Sequence, residues 1–498
     1  MNDYEIAKEN IEKPFIVSAS AGTGKTRVLV ERYVNILRKK HADIDEIIAI
    51  TFTEKAAGEM KDRIRQTIRN ADPSAGQNIP KLLDKLNTAP ISTIHSFCAR
   101  VLQDNINEID IDPQFRIIDE IEEAILRKEI LEFFLQRKLR TNDPALLTLI
   151  RHFDLYQIKD MLNSVWQQQA DCGEFLGKLH EKSVEDLHLQ FKNFHEEYTL
   201  KLLKQFFNDT AVRDILERFR SFNSGSPDDI LYRALMTIFK AVETVDHNCI
   251  PAELWDKSLH KAFSSTRKGR KENWGDELIV LRELVGRLKE KWNIIKDRVF
   301  PFNEDIEKQN AALMISFAGL AMEWIEHYRV GLSDKGLIDF NGLEIETERF
   351  FKRRSKAARN YANRFIHLLV DEFQDISPVQ NRIFEAMVEL NAKLITFYVG
   401  DEKQSIYSFQ GADPSAFGEM RAYFADRLTS VAQSLHQTEL LYSFRSAVPV
   451  LGLVDKVFTG DAREGLEGEI QHRAVKDDMA GKVELWPFVE TPEKPDGN

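Results

Sequence analysis

The chain has 498 residues, of which 43% are hydrophobic and 30% are charged, and its formal net charge is −12. This length predicts roughly two to four globular domains. No apolar run approaches the ~18 residues that span a bilayer, no leader pattern opens the chain, and the three cysteines are too widely spaced to predict a disulfide framework or a zinc site. These features predict a cytoplasmic protein. The acidic total does not exclude nucleic acid as a partner, because a local basic channel would be enough.

A predicted strand, a glycine loop and a predicted helix follow one another near the N-terminus. The apolar run 15–17 precedes the loop, and helical spacing begins at Val28. Gly22 and Gly24 permit a tight turn that points N–H groups at anionic oxygens, and the helix adds the positive end of its dipole. In a phosphate-binding loop, the residue types at Lys25 and Thr26 bind the β- and γ-phosphates and Mg²⁺. The alternative is an ordinary glycine turn. The predicted nucleotide-binding residues are Ser20, Ala21, Gly22, Thr23, Gly24, Lys25 and Thr26.

Short apolar strands alternate with helices over residues 1–105 and again over 331–430. This alternation predicts an α/β domain with a parallel sheet, in which ligands bind at the carboxyl ends of the strands. Residues 106–330 keep helical spacing and predict an all-helical insertion with its own core. A new domain is predicted over residues 431–498. Its predicted elements are a helix over 448–458 and a strand over 482–488.

Polar residues follow two of the predicted buried strands. Asp371 and Glu372 come directly after the apolar run 365–370. Asp371 would hold Mg²⁺ directly or through water, and Glu372 would orient or deprotonate the water that attacks a γ-phosphate; the alternative is ordinary surface charge. Gln404 lies just past another strand, where its amide would sense the γ-phosphate. Arg445 would stabilise transition-state charge from a neighbouring domain, or it forms a surface salt bridge.

Other predicted strand ends carry aromatic and hydroxyl side chains instead of acids. Hydroxyls contact phosphates and aromatic rings stack on bases, so this mixture suits a single strand of nucleic acid. By periodicity alone, Phe52 and Phe97 are equally well explained as packing residues. The candidate nucleic-acid residues are Thr51, Phe52, Thr93, His95, Tyr407 and Phe409.

Together, these segments resemble the superfamily-one DNA helicases of the UvrD/Rep/RecB group, and most of all the N-terminal part of their AddA-type helicase–nuclease branch. The segments that carry the resemblance occur in the family's order: Ala-Ser-Ala-Gly-Thr-Gly-Lys-Thr, Thr-Phe-Thr-Glu-Lys-Ala-Ala, Ser-Thr-Ile-His-Ser-Phe-Cys, Asp-Glu-Phe-Gln-Asp, Gly-Asp-Glu-Lys-Gln-Ser-Ile-Tyr and Ser-Phe-Arg-Ser. The resemblance implies a RecA-like domain, the start of a second one, and ATP- and Mg²⁺-dependent 3′→5′ movement on single-stranded DNA. It also implies a role in double-strand-break repair in the bacterial cytoplasm, where the partners would be DNA and an AddB-like subunit.

The resemblance also implies roles for individual residues. Lys25, Asp371 and Glu372 would serve hydrolysis, while Gln404 and Arg445 would contact the γ-phosphate. Phe444 takes the place of an adenine-stacking tyrosine. The six candidate nucleic-acid residues fall in segments that contact DNA in the family, and Phe409 matches a base-stacking position.

This chain departs from the family at several places. Residues Tyr4–Ala7 stand where a glutamine that reads adenine is expected, and Gln410 stands where an arginine is common. The later helicase motifs and a nuclease domain are not found, so weak hydrolysis and no processive unwinding are expected of this chain alone. The alternative function is that of a DNA-binding or scaffold subunit switched by nucleotide. Another phosphate-loop ATPase, such as a kinase, would not explain Phe52, His95 and the 404–407 segment together.

Overall fold

The computed structural model describes residues 3–20, 22–70, 79–109, 111–222, 226–255, 257–265, 269–401, 422–423, 436–459, 472–475 and 479–486. The chain forms two compact units. The sheet unit comprises Met1–Phe134, Ser164–Cys172 and Ile325–Asn498, and the helical unit comprises Leu135–Asn163 and Gly173–Trp324. The four predicted domain boundaries stay predictions.

A six-stranded parallel sheet forms the centre of the sheet unit, in agreement with the predicted α/β pattern. Its strands are β1 (Phe15–Ala19), β2 (Ile47–Thr51), β3 (Ile91–Thr93), β6 (His367–Val370), β7 (Ile395–Gly400) and β8 (His436–Leu440). The strand order is β3-β2-β6-β7-β1-β8, and each neighbouring pair is parallel. The edge strand β8 lies in the segment that the sequence assigns to a second domain.

Helices cover both faces of this sheet, which explains why its central strands are buried along nearly their whole length. In β2, Ile48 and Ile50 face one hydrophobic core, whereas Ile47 and Ala49 face the other. The helices of this unit include α1 (Asp3–Glu9), α2 (Lys25–Arg38), α3 (Glu54–Arg69), α4 (Ile79–Leu86), α5 (Ile94–Asp104), α18 (Phe340–Lys352), α19 (Lys356–Ala362), α20 (Pro378–Leu390) and α21 (Val448–Val457).

The segment between the two parts of the sheet is mainly helical, as predicted. Its largest core includes Phe206, Phe263 and Trp292, and the rings of Phe263 and Trp292 stack with their centroids 4.3 Å apart. The helices are α6 (Glu120–Arg140), α7 (Pro144–Leu149), α8 (Leu155–Gln167), α9 (Gln169–His180), α10 (Val184–Asn208), α11 (Thr210–Arg220), α12 (Ile230–Asp246), α13 (Ala252–Trp255), α14 (Ser258–Phe263), α15 (Lys271–Trp274), α16 (Glu277–Ile295) and α17 (Glu304–Ser333).

Two details differ from the sequence prediction. The segment 106–330 is not all helical, because β4 (Arg116–Ile117) pairs in parallel with β5 (Leu337–Ile338). The strand predicted over 482–488 is wrong for its described part, since residues 482–486 have no regular secondary structure. The short strands β9 (Tyr442–Ser443) and β10 (Arg473–Ala474) pair with each other instead. Among the described residues, no helix is both long enough and apolar enough to cross a membrane.

Candidate nucleotide and nucleic-acid site

The loop between β1 and α2 has the backbone that a phosphate-binding loop requires. Gly22 and Gly24 have φ angles of +77° and +92°, which residues with side chains rarely adopt. The Thr23 hydroxyl donates to the Ser20 carbonyl oxygen at 2.7 Å and closes the turn. A Cβ on Gly22 would lie 2.6 Å from the Cβ of Arg445, so this position has no room for a side chain. Helix α2 then begins at Lys25, and its free N–H groups point towards the loop.

Side chains of the phosphate loop contact side chains of residues 371–375, which we call the carboxylate segment. The Lys25 Nζ donates to Glu372 Oε2 at 2.6 Å. The Thr26 hydroxyl donates to Asp371 Oδ2 at 3.2 Å. Lys25 and Asp371 are buried, whereas Glu372 and Thr26 are partly exposed. The structure therefore joins residues that are nearly 350 positions apart in sequence into one cluster, at the edge where the parallel strands end.

Glu372 is held in an unusual conformation by its neighbours. Its backbone is left-handed, with φ +49° and ψ +48°, a strained geometry for a residue with a side chain. Gln374 Nε2 donates to Glu372 Oε2 at 2.7 Å, and Gln374 Oε1 accepts from the Asp401 N–H at 2.9 Å. No role is predicted for Gln374 from the sequence. The only sequence feature that points to it is an amide side chain two residues after Glu372.

Two carboxyl groups at this site, those of Asp371 and Asp375, have raised pKa values. Burial and the nearby charge of Glu372 raise the pKa of Asp371 to about 6, although Lys25 opposes the shift. Burial and Glu372 likewise raise the pKa of Asp375 to about 6. A cation bound near these oxygens would reverse the shifts, because it favours the ionised form.

The oxygen donors of Thr26 and Asp371 fit a small hard cation such as Mg²⁺, which prefers oxygen ligands. No group of three or more His, Cys, Asp or Glu side chains within the described ranges could by itself hold a metal ion. Mg²⁺ commonly takes one or two protein ligands and completes its shell with phosphate oxygens and water. The residues present therefore fit a metal that arrives with a nucleotide.

A cluster of aromatic and cationic side chains adjoins the phosphate loop. The Phe444 N–H donates to the Gly22 carbonyl oxygen at 2.7 Å, which fixes the ring beside the loop. The Tyr4 ring lies edge-on to Phe444, with the centroids 6.4 Å apart. The Arg27 guanidinium carbon lies 5.4 Å from the Phe444 centroid and 5.9 Å from the Tyr4 centroid. Base stacking is predicted for Phe444 from the resemblance, whereas Arg27, which directly follows Thr26, was not predicted.

Arg445 also belongs to this end of the sheet. The contact between its Cβ position and Gly22 brings it against the phosphate loop, and its side chain is exposed. Four other predicted site residues lie outside the described residues, namely Ala21, Gln404, Tyr407 and Phe409.

At the ends of β2 and β3, the predicted hydroxyl residues take part in local hydrogen bonds. The buried Thr51 hydroxyl donates to the Thr53 carbonyl oxygen at 3.1 Å, and the Thr53 hydroxyl caps α3. The Thr93 hydroxyl caps α5 and donates to Glu54 Oε1 at 2.7 Å. Thr51 and Thr93 therefore shape the loops at this end of the sheet.

Aromatic rings are displayed at the same strand ends. Phe52 is 39% exposed and Phe340 is 37% exposed, whereas Phe97 is buried in the core. The His95 ring lies 4.7 Å from the Phe340 ring, and His95 Nε2 is 3.0 Å from Glu344 Oε1. We call Phe52, His95 and Phe340 the aromatic rim. Phe340 was not predicted from the sequence, because it is the first residue of α18 and lies 245 positions after His95.

The sequence matches a known family over most of its length. Residues 2–425 match the family described as the UvrD/REP helicase N-terminal domain. The chain is 31% identical to an ATP-dependent helicase/nuclease subunit of Alkaliphilus metalliredigens over 486 residues, which cover 92% of this chain and 39% of that protein. The proteins of the same name from Bacillus cytotoxicus and Staphylococcus epidermidis are 28% and 27% identical, over 93% and 95% of this chain and 39% and 41% of theirs.

The chain thus spans about two fifths of the length of these relatives. The family match covers the phosphate loop, the carboxylate segment and the aromatic rim. By this match, the chain belongs to the family of UvrD/REP helicase N-terminal domains.

Proposed function

We propose that the chain carries the ATPase site of an ATP-dependent DNA helicase, which couples ATP hydrolysis to 3′→5′ movement along single-stranded DNA in double-strand-break repair. The pairing of Lys25 with Glu372, and of Thr26 with Asp371, is the observation that carries this proposal. The name that the relatives share, which describes an ATP-dependent helicase/nuclease, supports the same function. We infer that the partners are double- and single-stranded DNA and an AddB-like subunit.

In this proposal, Lys25 binds an oxygen of the γ-phosphate and gives up its ion pair with Glu372. The Glu372 carboxylate would still accept the hydrogen bond from Gln374, which keeps it in place. Its freed lone pairs would orient the attacking water and accept its proton. The same lysine would thus link phosphate binding to the release of the base.

Thr26 and Asp371 would hold Mg²⁺ at the phosphates. When bound, Mg²⁺ supplies positive charge that offsets the charge developing on the β- and γ-phosphate oxygens. Asp371 must be ionised to act as a ligand. Since the pKa of Asp371 is raised to about 6, we expect Mg²⁺-dependent binding of ATP to weaken as the pH falls through 6.

The nucleoside and the γ-phosphate would be held by groups next to the loop. The Phe444 ring and the Arg27 guanidinium offer flat surfaces to a base. Arg445 extends from a position against Gly22 and would stabilise transition-state charge on the γ-phosphate. Gln404 remains a predicted γ-phosphate sensor.

Single-stranded DNA would lie along the aromatic rim. The exposed rings of Phe52, His95 and Phe340 can stack on bases without reading their sequence. Tyr407 and Phe409 remain predicted contacts of the same kind. Thr51 and Thr93 would act mainly by shaping the loops, since both hydroxyls take part in local hydrogen bonds.

Two substitutions test the proposal, with ATP binding and ATP hydrolysis measured separately. Lys25→Ala should weaken ATP binding by at least about tenfold, because a charge-assisted phosphate contact is lost. Glu372→Gln should retain ATP binding within about threefold and lower the hydrolysis rate by at least about 100-fold, because the amide cannot accept the proton. If both variants hydrolyse ATP like the wild type, the hydrolytic assignment is wrong. If Lys25→Ala leaves ATP binding unchanged, the assignment of the phosphate site is also wrong.

A further inference from the structure

A row of side chains from α2 and the residue after it donates hydrogen bonds to the carbonyl end of α1 and links the two helices. Arg32, Asn35 and Lys39 are spaced three and four residues apart, so they lie on one side of α2 and of the residue that follows it. Each donates to one of the carbonyls near the end of α1, which have no partner within the helix. The distances are 2.6 Å from Arg32 to Ala7 O, 3.3 Å from Asn35 to Lys8 O and 2.7 Å from Lys39 to Glu9 O. We call these three residues the capping row.

Arg32 differs from the rest of the row because it is fully buried. Its guanidinium also donates to the carbonyl oxygens of Asn10 at 2.9 Å and Lys13 at 3.0 Å. Its Cζ lies 4.5 Å from the Phe397 ring centroid and 5.3 Å from that of Phe15. Within the described ranges, no carboxylate forms an ion pair with Arg32, and burial lowers its pKa to about 9. The buried cation is therefore stabilised by main-chain carbonyls and aromatic faces.

Helix α1, whose end Arg32 contacts, also carries a residue that lies beside the phosphate loop. Tyr4 lies one helical turn before Ala7, and its ring meets Phe444 and Arg27. A Cβ on Gly24 of the phosphate loop would lie 3.8 Å from the Tyr4 ring. Helix α1 has only seven residues, too few to be stable alone. Its position, and with it the position of Tyr4, thus depends on bonds to its neighbours.

We propose that Arg32 is a positioning residue for recognition of the nucleoside part of the nucleotide, acting through α1 and Tyr4. The inference rests on the proposed function, because it assumes that the phosphate loop binds a nucleoside triphosphate. A forked guanidinium can hold several carbonyls at once, and a lysine ammonium cannot reproduce that geometry. Asn35 and Lys39 lie nearer the surface, where such contacts contribute less.

The test compares two ligands in the full chain, Mg²⁺-ATP and Mg²⁺-tripolyphosphate, by titration calorimetry. Their ratio of affinities isolates the nucleoside contribution, since both carry the phosphates. Arg32→Lys, Arg32→Met and Tyr4→Ala should each lower this ratio by at least about fivefold, while tripolyphosphate affinity stays within about twofold. Ile36→Ala provides a matched control, because it removes a fully buried side chain one turn further along α2 and should lower thermal stability without changing the ratio.

Each other outcome has a definite meaning. If Arg32→Lys lowers both affinities in parallel, as Ile36→Ala would through general destabilisation, Arg32 is structural and the inference is overturned. A ratio near one in the wild type would also overturn it, while leaving the phosphate site intact. If the wild type binds neither ligand, the proposed function itself fails.

Discussion

The edge of the sheet at which the parallel strands end has two halves, which differ in charge, burial and hydrogen bonding. At β1 and β6, Lys25, Asp371 and Glu372 form a compact cluster in which each charged group has a partner. At β2 and β3, the hydroxyls bond locally, and the exposed groups are the rings of Phe52 and Phe340. Both halves belong to one parallel sheet.

Under the proposed function, this difference would let one sheet bind two ligands, a nucleotide and single-stranded DNA. A cluster of buried and partly buried charges discriminates by geometry, since each displaced contact is costly in a region of low dielectric. Exposed rings discriminate little and suit a polymer that has to slide. We therefore expect substitutions in the cluster to produce larger and more specific effects than substitutions on the rim.

The largest effect is expected when the turn of the phosphate loop is blocked. Gly22→Ala combines a left-handed φ of +77° with a Cβ only 2.6 Å from that of Arg445, so the loop has to move. ATP affinity should fall by more than about tenfold, as measured by calorimetry. Gly58→Ala provides the control, because its Cβ would meet no atom within 4 Å and should be neutral or stabilising. Equal affinities in the two variants would contradict the assigned loop geometry.

A smaller effect is expected on the rim. Phe52→Ala and Phe340→Ala should each weaken binding of labelled oligothymidine by about fivefold, because stacking contributes roughly 1–3 kcal/mol per base. ATP affinity should not change. Phe175→Ala is the matched control, since this ring is more exposed than either and lies on α9. The rim is not a DNA surface if all three variants bind the oligonucleotide equally.

The third effect concerns stability and its dependence on pH rather than ligand binding. Because the folded-state pKa of Asp371 is raised to about 6, the folded state holds more protons than the unfolded state between about pH 4 and 6. The contribution of Asp371 to the free energy of unfolding should therefore fall as the pH rises through this window. Asp371→Asn should reduce that fall and stabilise the protein at pH 7.5 by on the order of 2 kcal/mol.

Thermal unfolding at pH 4.5, 6 and 7.5 provides the measurement. Asp214→Asn, on the exposed side of α11, should leave the pH dependence as it is in the wild type. A wild-type stability that rises between pH 4.5 and 7.5, with no effect of Asp371→Asn, would contradict the assigned burial of this carboxylate.

The sequence predicted the features that depend on local patterns. The glycine loop, the carboxylates after a buried strand and the alternation of strands and helices each leave a signal within a few residues. For this reason the parallel α/β fold and the grouping of Lys25 with Asp371 and Glu372 could be predicted.

The features that depend on distant partners could not be predicted from the sequence. Phe340 meets His95 only in the folded chain, and Arg27 acts beside Phe444 only because β8 and β9 return to the loop. The alternating residues 482–486 indicated a strand, yet a strand needs a neighbour to bond to. The local hydrogen bonds of the Thr51 and Thr93 hydroxyls at loops and helix starts left no signal in the sequence either, and the predicted contact of these two residues with phosphates stays a prediction.

The most direct test of the account is whether the two halves of the edge are coupled. The affinity for labelled oligothymidine should be measured by fluorescence anisotropy with and without Mg²⁺-ATPγS, for the wild type and Lys25→Ala. The proposed function predicts that nucleotide changes the wild-type affinity by at least about fivefold, within the usual range of coupling between sites, and that Lys25→Ala removes the change. An unchanged wild-type affinity, or a change that persists in Lys25→Ala, would contradict it.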